Sequence, residues 1–205
     1  MFRAMGVTEL LGLAASVSLL AGWRLYLCIF ATGIAMRTGW VPLPDHLQML
    51  EVFTNPWVLG LSALGMVAEF FADKIAWLDS LWDGVHTLIR PVGGALLALA
   101  IVDARDPAWQ VVAFLLGGGA ALLSHGAKAG TRALVNASPE PFSNVIVSTG
   151  EDVATVGLLA LAFANPWAAL VLAMILLAAS ITLLLSARVL LRKWFGAPSR
   201  PPASG

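Results

Sequence analysis

Apolar residues gather along the chain in six continuous runs separated by polar stretches. The runs extend over Val7 to Met36, Trp57 to Ala72, Val92 to Val102, Ala108 to Leu123, Val153 to Ala164 and Trp167 to Leu191. Continuous runs are typical of membrane-spanning helices, whereas the strands of a membrane barrel alternate apolar and polar residues. The pattern therefore predicts an all-α fold, a polytopic transmembrane helical bundle with about six spans.

Three of the predicted helices begin with the same short motif. It places Asn or Asp before a proline and a tryptophan, at Asn55-Pro56-Trp57, Asp106-Pro107-Ala108-Trp109 and Asn165-Pro166-Trp167. The first residue suits a helix cap, proline suits the first helical position, and tryptophan favours the membrane interface. We expect the three starts to lie on one side of the membrane.

The composition supports a membrane protein and excludes other classes. Hydrophobic residues make up 59% of the chain and charged residues only 12%, which leaves too little polar surface for a water-soluble globule. The formal net charge of zero argues against nucleic acid as a partner, and the single cysteine, Cys28, excludes an internal disulfide. We interpret the first apolar run as a span rather than a cleaved signal peptide.

The domain organisation is simple. We predict one transmembrane domain over residues 1–193 and a disordered cytoplasmic tail over residues 194–205, where proline, serine and alanine dominate. Residues 55–104 and 106–164 each contain a predicted hairpin of two spans, and the returning spans open alike at Gly94 and Gly157. An internal repeat is one explanation, and chance similarity between Leu/Ala-rich helices is the other.

Basic residues are distributed unevenly between the polar segments. Six spans with both termini in the cytoplasm place only Arg37 and Arg105 outside, and Arg24 falls within a span. The basic residues placed inside are Arg3, Lys74, Arg90, Lys128, Arg132, Arg188, Arg192, Lys193 and Arg200. Because basic residues favour cytoplasmic loops, the asymmetry predicts cytoplasmic termini and puts the three proline-containing starts on the outer face.

Arg24 stands near the middle of the first apolar run. A charge at this depth costs at least about 2.5 to 3.5 kcal/mol on the insertion scale, so it needs a partner or water. Glu69, which shares a helix face with Asp73, is the first candidate partner, and Glu151 is the second. The alternatives are a structural ion pair and a role in a substrate or ion pathway.

The segment over residues 75–90 is an amphipathic helix. Asp79, Asp83, His86 and Arg90 recur at spacings of four, three and four, which places them in one stripe roughly 60° wide. One interpretation is an interfacial helix on the cytoplasmic leaflet with a solvated polar face. The other is a re-entrant helix whose two carboxylates and imidazole bind a divalent metal ion or relay a proton.

A second polar segment, over residues 125–152, is predicted to be broken. Its first part carries His125 and the candidate site residue Asn136, with Lys128 and Arg132 as candidate contacts for an anion or a lipid headgroup. Two prolines then end the helix near 139–141. The second part contains the candidate site residues Asn144, Ser148, Glu151 and Asp152.

The third and fifth apolar runs are too short for complete crossings. Each contains about 11 or 12 residues, whereas a full span needs about 20. Each run reaches across only by including the polar stretch before it, which indicates broken helices. Paired short or Gly/Pro-interrupted segments are typical of the binding sites of transporters.

Several segments resemble a known family. They are Ala21-Gly-Trp-Arg-Leu-Tyr-Leu27, Glu69-Phe-Phe-Ala-Asp-Lys74, Ser138-Pro-Glu-Pro-Phe-Ser-Asn144 and Ser148-Thr-Gly-Glu-Asp152. The chain resembles, from Leu10 to about Arg192, the bacterial membrane-protein family catalogued as domain of unknown function 4126. The resemblance implies a multi-pass protein of the bacterial cytoplasmic (inner) membrane, but it implies no activity.

Three classes of function remain open. A small transporter or channel for a cation or a proton-coupled solute is favoured, because carboxylates outnumber bases among the candidate residues. An intramembrane enzyme or lipid-headgroup handler is the alternative, although no complete catalytic motif is present. A structural assembly protein is the third, and a homo-oligomer is compatible with each of the three. The expected partners are the bilayer and a small solute or ion, and no cofactor is expected apart from the metal ion considered above.

Overall fold

The computed structural model describes residues 7–38, 51–102, 107–136 and 142–195. Within these ranges the protein consists of six helices and no strand. They are α1 (Val7–Arg37), α2 (Pro56–Ala72), α3 (Ala76–Val102), α4 (Pro107–Asn136), α5 (Phe142–Ala164) and α6 (Pro166–Phe195). The predicted all-α helical bundle is confirmed.

Five of these helices are long and apolar enough to cross a membrane, and α2, with 17 residues, is a shorter apolar helix. The outer surface of the bundle is apolar too. Leu64 on α2, Leu88 on α3 and Leu115 on α4 are each more than 60% exposed. Such a surface suits contact with lipid.

The predicted helix caps form where the structure describes them. The Asn55 side chain accepts a hydrogen bond from the Trp57 amide at 2.9 Å, and the Asn165 side chain accepts one from the Ala168 amide at 3.1 Å. Asp106, the third predicted cap, lies outside the described residues. Successive helices alternate in direction from α2 to α6, so α2, α4 and α6 begin at one end of the bundle, which we call the tryptophan end. The opposite end, which holds the connection over residues 73–75, is the turn end.

The first helix departs from the prediction of a straight span. Arg24 has non-helical backbone angles, φ −142° and ψ 76°, and they divide α1 into a first arm over residues 7–23 and a second arm over residues 25–37. In the first arm, the Ser16 hydroxyl donates to the Pro166 carbonyl at 3.2 Å, and the Trp23 carbonyl accepts from the Lys128 amine at 3.2 Å. The first arm therefore runs from the tryptophan end into the bundle.

The second arm of α1 returns towards the tryptophan end. Gly65 lies against the Tyr26 ring, and Gly33 lies against Leu59 near the beginning of α2. From Tyr26 to Gly33 the residue numbers rise along α1, whereas those of their neighbours on α2 fall from Gly65 to Leu59. The second arm is therefore antiparallel to α2. Helix α1 thus begins and ends at the tryptophan end, with Arg24 at its deepest point.

The polar stretches before the third and fifth apolar runs are helical, so the prediction of broken spans was wrong. Helix α3 includes the amphipathic segment and continues through Pro91, and α5 is continuous. The stripe on α3 is buried in the bundle rather than solvated at an interface. The apolar runs looked short because one face of each helix carries polar residues towards the protein interior. In the polar segment over 125–152, α4 continues to Asn136, and residues 137–141 lie outside the described ranges.

Helices α1, α3 and α4 approach closely in the half of the bundle nearer the tryptophan end. A Cβ atom at Gly94 would lie 2.5 Å from the Ala121 Cβ, and the Ser18 hydroxyl donates to the Gly94 carbonyl at 3.0 Å. Small residues allow this contact between backbones. This packing fixes the relative positions of α1, α3 and α4, which carry most of the polar side chains described below.

Two of the domain predictions stay open. The pairs α2–α3 and α4–α5 occupy the proposed repeats 55–104 and 106–164, but the internal duplication stays a prediction. Helix α6 includes residues 194 and 195, so the tail does not begin at 194. The rest of the predicted tail lies outside the described residues.

Candidate functional site

Eight charged side chains form a buried network in the half of the bundle nearer the turn end. We call it the charged core, and it consists of Arg24, Glu69, Asp73, Asp79, Asp83, Arg90, Lys128 and Arg132. Each of these side chains is at most 7% exposed. From Asp79 to Arg90 the network extends about 16 Å along α3, at 1.5 Å per residue. It therefore reaches from near the beginning of α3 to about its middle.

Arg24 is held by groups that follow it far along the chain. Its guanidinium forms an ion pair with Asp73 and another with Asp152 Oδ1 at 3.1 Å, and Glu151 lies 3.6 Å away. It also donates to the Ser148 carbonyl at 3.1 Å. Glu69, the first partner expected from the sequence, pairs with a different arginine, whereas Glu151, the second, is a neighbour.

Arg90 connects two carboxylates and a histidine. Its guanidinium donates to Glu69 Oε1 at 2.6 Å and to Asp83 Oδ1 at 3.0 Å. It also lies 2.6 Å from His125 Nδ1. Because arginine only donates, Nδ1 must accept, and the imidazole proton belongs on Nε2, 3.2 Å from the Asp83 carbonyl. His125 is thus neutral in this arrangement.

Asp73 is shared by two cations at the end of α2. Lys128 donates to Asp73 Oδ2 at 3.0 Å, and Arg24 pairs with the same oxygen. Burial tends to raise the pKa of Asp73, but the Lys128 and Arg24 charges outweigh burial and hold this pKa below its ordinary value. Asp73 is therefore ionised near neutral pH.

Arg132 joins α4 to the beginnings of α3 and α5. It donates to Asp79 Oδ2 at 3.2 Å, to the Asn144 carbonyl at 3.1 Å and to the Asp73 carbonyl. The Asn136 amide donates to the same Asp79 oxygen at 2.6 Å. Arg132 is buried and each of its three guanidinium nitrogens donates to a protein oxygen, so the contact with an anion or a lipid headgroup stays a prediction for this residue.

Three further charges lie beside Arg24 and are partly exposed. We call them the outer group, and they are Lys74, Glu151 and Asp152. Their side chains are 20%, 14% and 23% exposed, and Lys74 lies 3.7 Å from Asp152 Oδ2. Lys74 also donates to the Ser148 hydroxyl at 3.1 Å, and its amine lies 3.5 Å from the centre of the Phe70 ring. Burial lowers the pKa of Lys74.

His86 lies apart from the ion pairs, next to two aromatic rings. Its Nδ1 is 2.8 Å from the Trp82 carbonyl and its Nε2 is 3.1 Å from the Tyr26 hydroxyl, while its ring stacks on Trp82. A carbonyl only accepts, so Nδ1 carries the proton and the Tyr26 hydroxyl donates to Nε2. His86 is thus fixed by neutral partners.

The predicted metal ligands do not converge. Asp79 binds Arg132 and Asn136, Asp83 binds Arg90, and His86 binds Tyr26. Among the residues that the structure describes, no three His, Cys, Asp or Glu side chains are placed to hold a metal ion. The structure therefore does not bring the stripe on α3 together as a metal site, because Arg90 and Arg132 bind its carboxylates, and a bound metal ion stays a prediction.

The other candidate residues come together in one network. Sequence reasoning missed Tyr26 as the partner of His86, and it missed Lys74 and His125 as members of the network. Their positions carried a signal, since Lys74 follows Asp73 directly and His125 begins the stripe that continues to Lys128. Moreover, Arg90, Lys128 and Arg132 lie in the charged core. The count of cytoplasmic charges assumed that they were loop residues, whereas they lie inside helices.

Long apolar helices with a lipid-compatible surface and a buried polar interior define a multi-pass integral membrane protein. The chain matches the family described as Domain of unknown function (DUF4126) over residues 11–186, and it belongs to this family. No curated protein and no solved structure matches the chain.

Proposed function

We propose that the protein is a small transporter of the bacterial inner membrane that binds and moves a proton or a small cation, alone or coupled to a solute. The observation that supports this function best is the distribution of charge between the charged core and the outer group. A membrane interior tolerates charges that are paired and disfavours an unpaired one.

The charged core is balanced, since it contains four carboxylates and four bases. The outer group is not, because it contains two carboxylates, Glu151 and Asp152, and one base, Lys74, which lies 3.7 Å from Asp152. With both histidines neutral, the network as a whole carries one negative charge in excess. A proton or a small cation bound between Glu151 and Asp152 removes this excess and is the ion that we expect to move.

The shape of α1 supports transport through the same region. Arg24 interrupts the helix at the level of the network, and its backbone is surrounded by protein rather than lipid. Interrupted helices inside a membrane are found where irregular backbone borders protein or a polar cavity, and such helices commonly form the binding sites of transporters. A change of angle between the two arms would move Arg24 relative to Asp152 and alter the affinity for the ion.

We further propose that the turn end faces the cytoplasm. Helix α6 ends there, and the last residues of α6 include three basic ones, Arg188, Arg192 and Lys193. Basic residues at the end of a span favour the cytoplasmic side. Because α1 returns to the end at which it begins, it does not cross the membrane, and the five crossings are α2 to α6, of which α2, with 17 residues, is at the lower limit of length for a span. The N-terminal side of the chain is then external and its C-terminal side cytoplasmic, in place of the same-side termini that we expected from six spans.

The transport proposal is tested with the full chain in proteoliposomes. A potassium diffusion potential set by valinomycin drives the ion, and internal dyes report H⁺ or Na⁺ entry. We expect entry of one of these ions above the rate in empty liposomes. Glu151→Gln should reduce the rate about tenfold or more, since a charged interaction contributes about 1.5 to 3 kcal/mol.

Glu51→Gln is the matched control, because Glu51 is exposed and precedes the beginning of α2, whereas the network lies near the other end of that helix. It should leave the rate unchanged. Rates of H⁺ and Na⁺ entry that equal those of empty liposomes would refute the proposal. Equal rates for the wild-type protein and Glu151→Gln would refute the assignment of the outer group.

The proposed topology is tested with single cysteines in cells. The native Cys28 is completely buried, so it does not compete for a membrane-impermeant maleimide. We expect Gly6→Cys to be labelled from outside and Gly196→Cys only after the membrane is permeabilised. Labelling of both positions from the same side would instead require an even number of crossings.

A further inference from the structure

A groove of about 280 Å³ lies between α2 and α5 on the side of the bundle. Both helices pack on α1 and make few contacts with each other, so the groove separates them. Its rim is apolar and faces outward, with Val67, Phe70 and Phe71 from α2 and Val156 from α5 each 42% to 60% exposed. The groove therefore opens towards the region that lipid occupies.

The floor of the groove belongs to the charged network. Arg24, Glu69 and Asp152 line it together with the apolar residues. Arg24 is committed to Asp73, Asp152 and the Ser148 carbonyl. Glu69 also pairs with Arg90 and Asp152 with Lys74, but the network around the floor carries one negative charge in excess, so the floor favours a cation over an anion.

Glu69 supplies an acceptor that the protein itself does not use. The side chain is 1% exposed, and its Oε1 accepts from Arg90 at 2.6 Å. Its Oε2 is buried, and no group of the described residues donates a hydrogen bond to it. A buried acceptor of this kind costs free energy unless a donor reaches it.

We infer that this groove binds the primary ammonium group of an amphiphile, which enters sideways from the lipid. The ammonium donates to Glu69 Oε2 and to the carboxylate of Asp152, and the hydrocarbon part lies against Met66, Val67 and Phe71. The Phe71 ring at the rim also favours a cation near its face, whereas the Phe70 ring already lies beside the Lys74 amine. A quaternary ammonium has no N–H group to donate, so the groove should discriminate between the two kinds of head.

This inference goes beyond the proposed ion transport and does not depend on it. Binding is measured at equilibrium with the full chain in a non-ionic detergent, and radiolabelled dodecylamine is the probe. We expect saturable binding near one molecule per chain. Unlabelled dodecylamine should compete, whereas dodecyltrimethylammonium and dodecyl sulfate should not.

Two substitutions test the location. Val67→Trp fills the groove, and Asp152→Asn removes one carboxylate, so each should weaken binding about tenfold or more. Leu64→Trp is the matched control, because Leu64 lies on the lipid-facing surface of the same helix, is 69% exposed and does not line the groove. It should bind dodecylamine as the wild-type protein does.

Competition with phospholipids identifies the source of the amine. Competition by phosphatidylethanolamine, but not by phosphatidylcholine, supports a membrane lipid as the ligand. Competition by dodecylamine alone supports a free amphiphilic amine. Equal competition by dodecyltrimethylammonium, or unchanged binding to Val67→Trp, would overturn the inference. Ion flux is not measured in this experiment, so its result stands whether or not the transport proposal fails.

Discussion

The charged core and the outer group contain the same kinds of side chain but differ in balance and in exposure. In the core, four carboxylates and four bases are at most 7% exposed, and each carboxylate has a basic partner. In the outer group, Lys74 lies 3.7 Å from Asp152, whereas the bases near Glu151 are Arg24 and Lys128 of the core. Burial of charge is therefore common to most of the network, whereas the uneven number of acids and bases sets the outer group apart, and the proposed transport rests on this difference.

The same comparison explains how the bundle tolerates so many charges. Each arginine of the core bridges different helices, so the ion pairs also hold the helices in register. Arg90 joins α3 to Glu69 of α2, and Arg132 joins α4 to Asp79 of α3. Breaking a buried pair leaves an uncompensated charge, which costs more than the pair itself contributes.

The largest effect is expected for a change inside the charged core. Arg90→Met leaves Glu69 and Asp83 without their shared cation and should lower the free energy of unfolding by about 3 to 5 kcal/mol. The measurement is the yield of monodisperse protein together with its thermal unfolding in detergent. Arg37→Met is the control, since Arg37 is exposed. Similar unfolding of the two variants would mean that the core does not stabilise the bundle.

A smaller loss of stability is expected when Asp73 is replaced, and this loss should depend on pH. The pKa of Asp73 is lowered in the folded protein, so its contribution to stability is present above its unfolded pKa of about 3.9 and is lost as the pH falls through the folded value. The unfolding temperature of the wild-type protein should therefore fall at acidic pH. The Asp73→Asn variant should be less stable than the wild-type protein near pH 7, and its unfolding temperature should fall less on acidification. A parallel pH dependence in both proteins would contradict this role.

The smallest effect on stability is expected in the outer group. Glu151→Gln removes the excess negative charge, so its free energy of unfolding should stay within about 1 kcal/mol of the wild-type value or rise. Asp79→Asn in the core should instead lower it, because Arg132 loses its carboxylate. Thermal unfolding of both variants under one condition provides the comparison. Equal destabilisation would show that the two groups do not differ.

Many residues of the network could be predicted from the sequence, but the pairs that they form with one another could not. The spacing of Asp79, Asp83, His86 and Arg90 predicted one helical face. Periodicity could not decide whether that face met water or protein, because both environments suit a polar stripe. The pairing of Arg90 with Glu69 depends on how α2 packs against α3, and a pattern within one helix holds no information on that packing.

The reversal of α1 is the part of the fold that could not be predicted from the sequence. A run of about 30 apolar residues reads as one long span, and neither glycine nor proline occupies the turning point. Arg24 was the only signal, and an isolated arginine is compatible with a straight helix as well. The reversal follows from tertiary contacts, since Arg24 binds groups of α5 and of the connection after α2.

The position of Arg24 also constrains how the protein is made. Its partners Asp73, Ser148 and Asp152 follow it by 49, 124 and 128 residues in the chain. When α1 leaves the ribosome, none of them exists, and placing Arg24 in the bilayer alone is unfavourable. We therefore expect Arg24 to pair first with Asp73, once α2 has been synthesised, and to complete its set of partners only after α5 has followed.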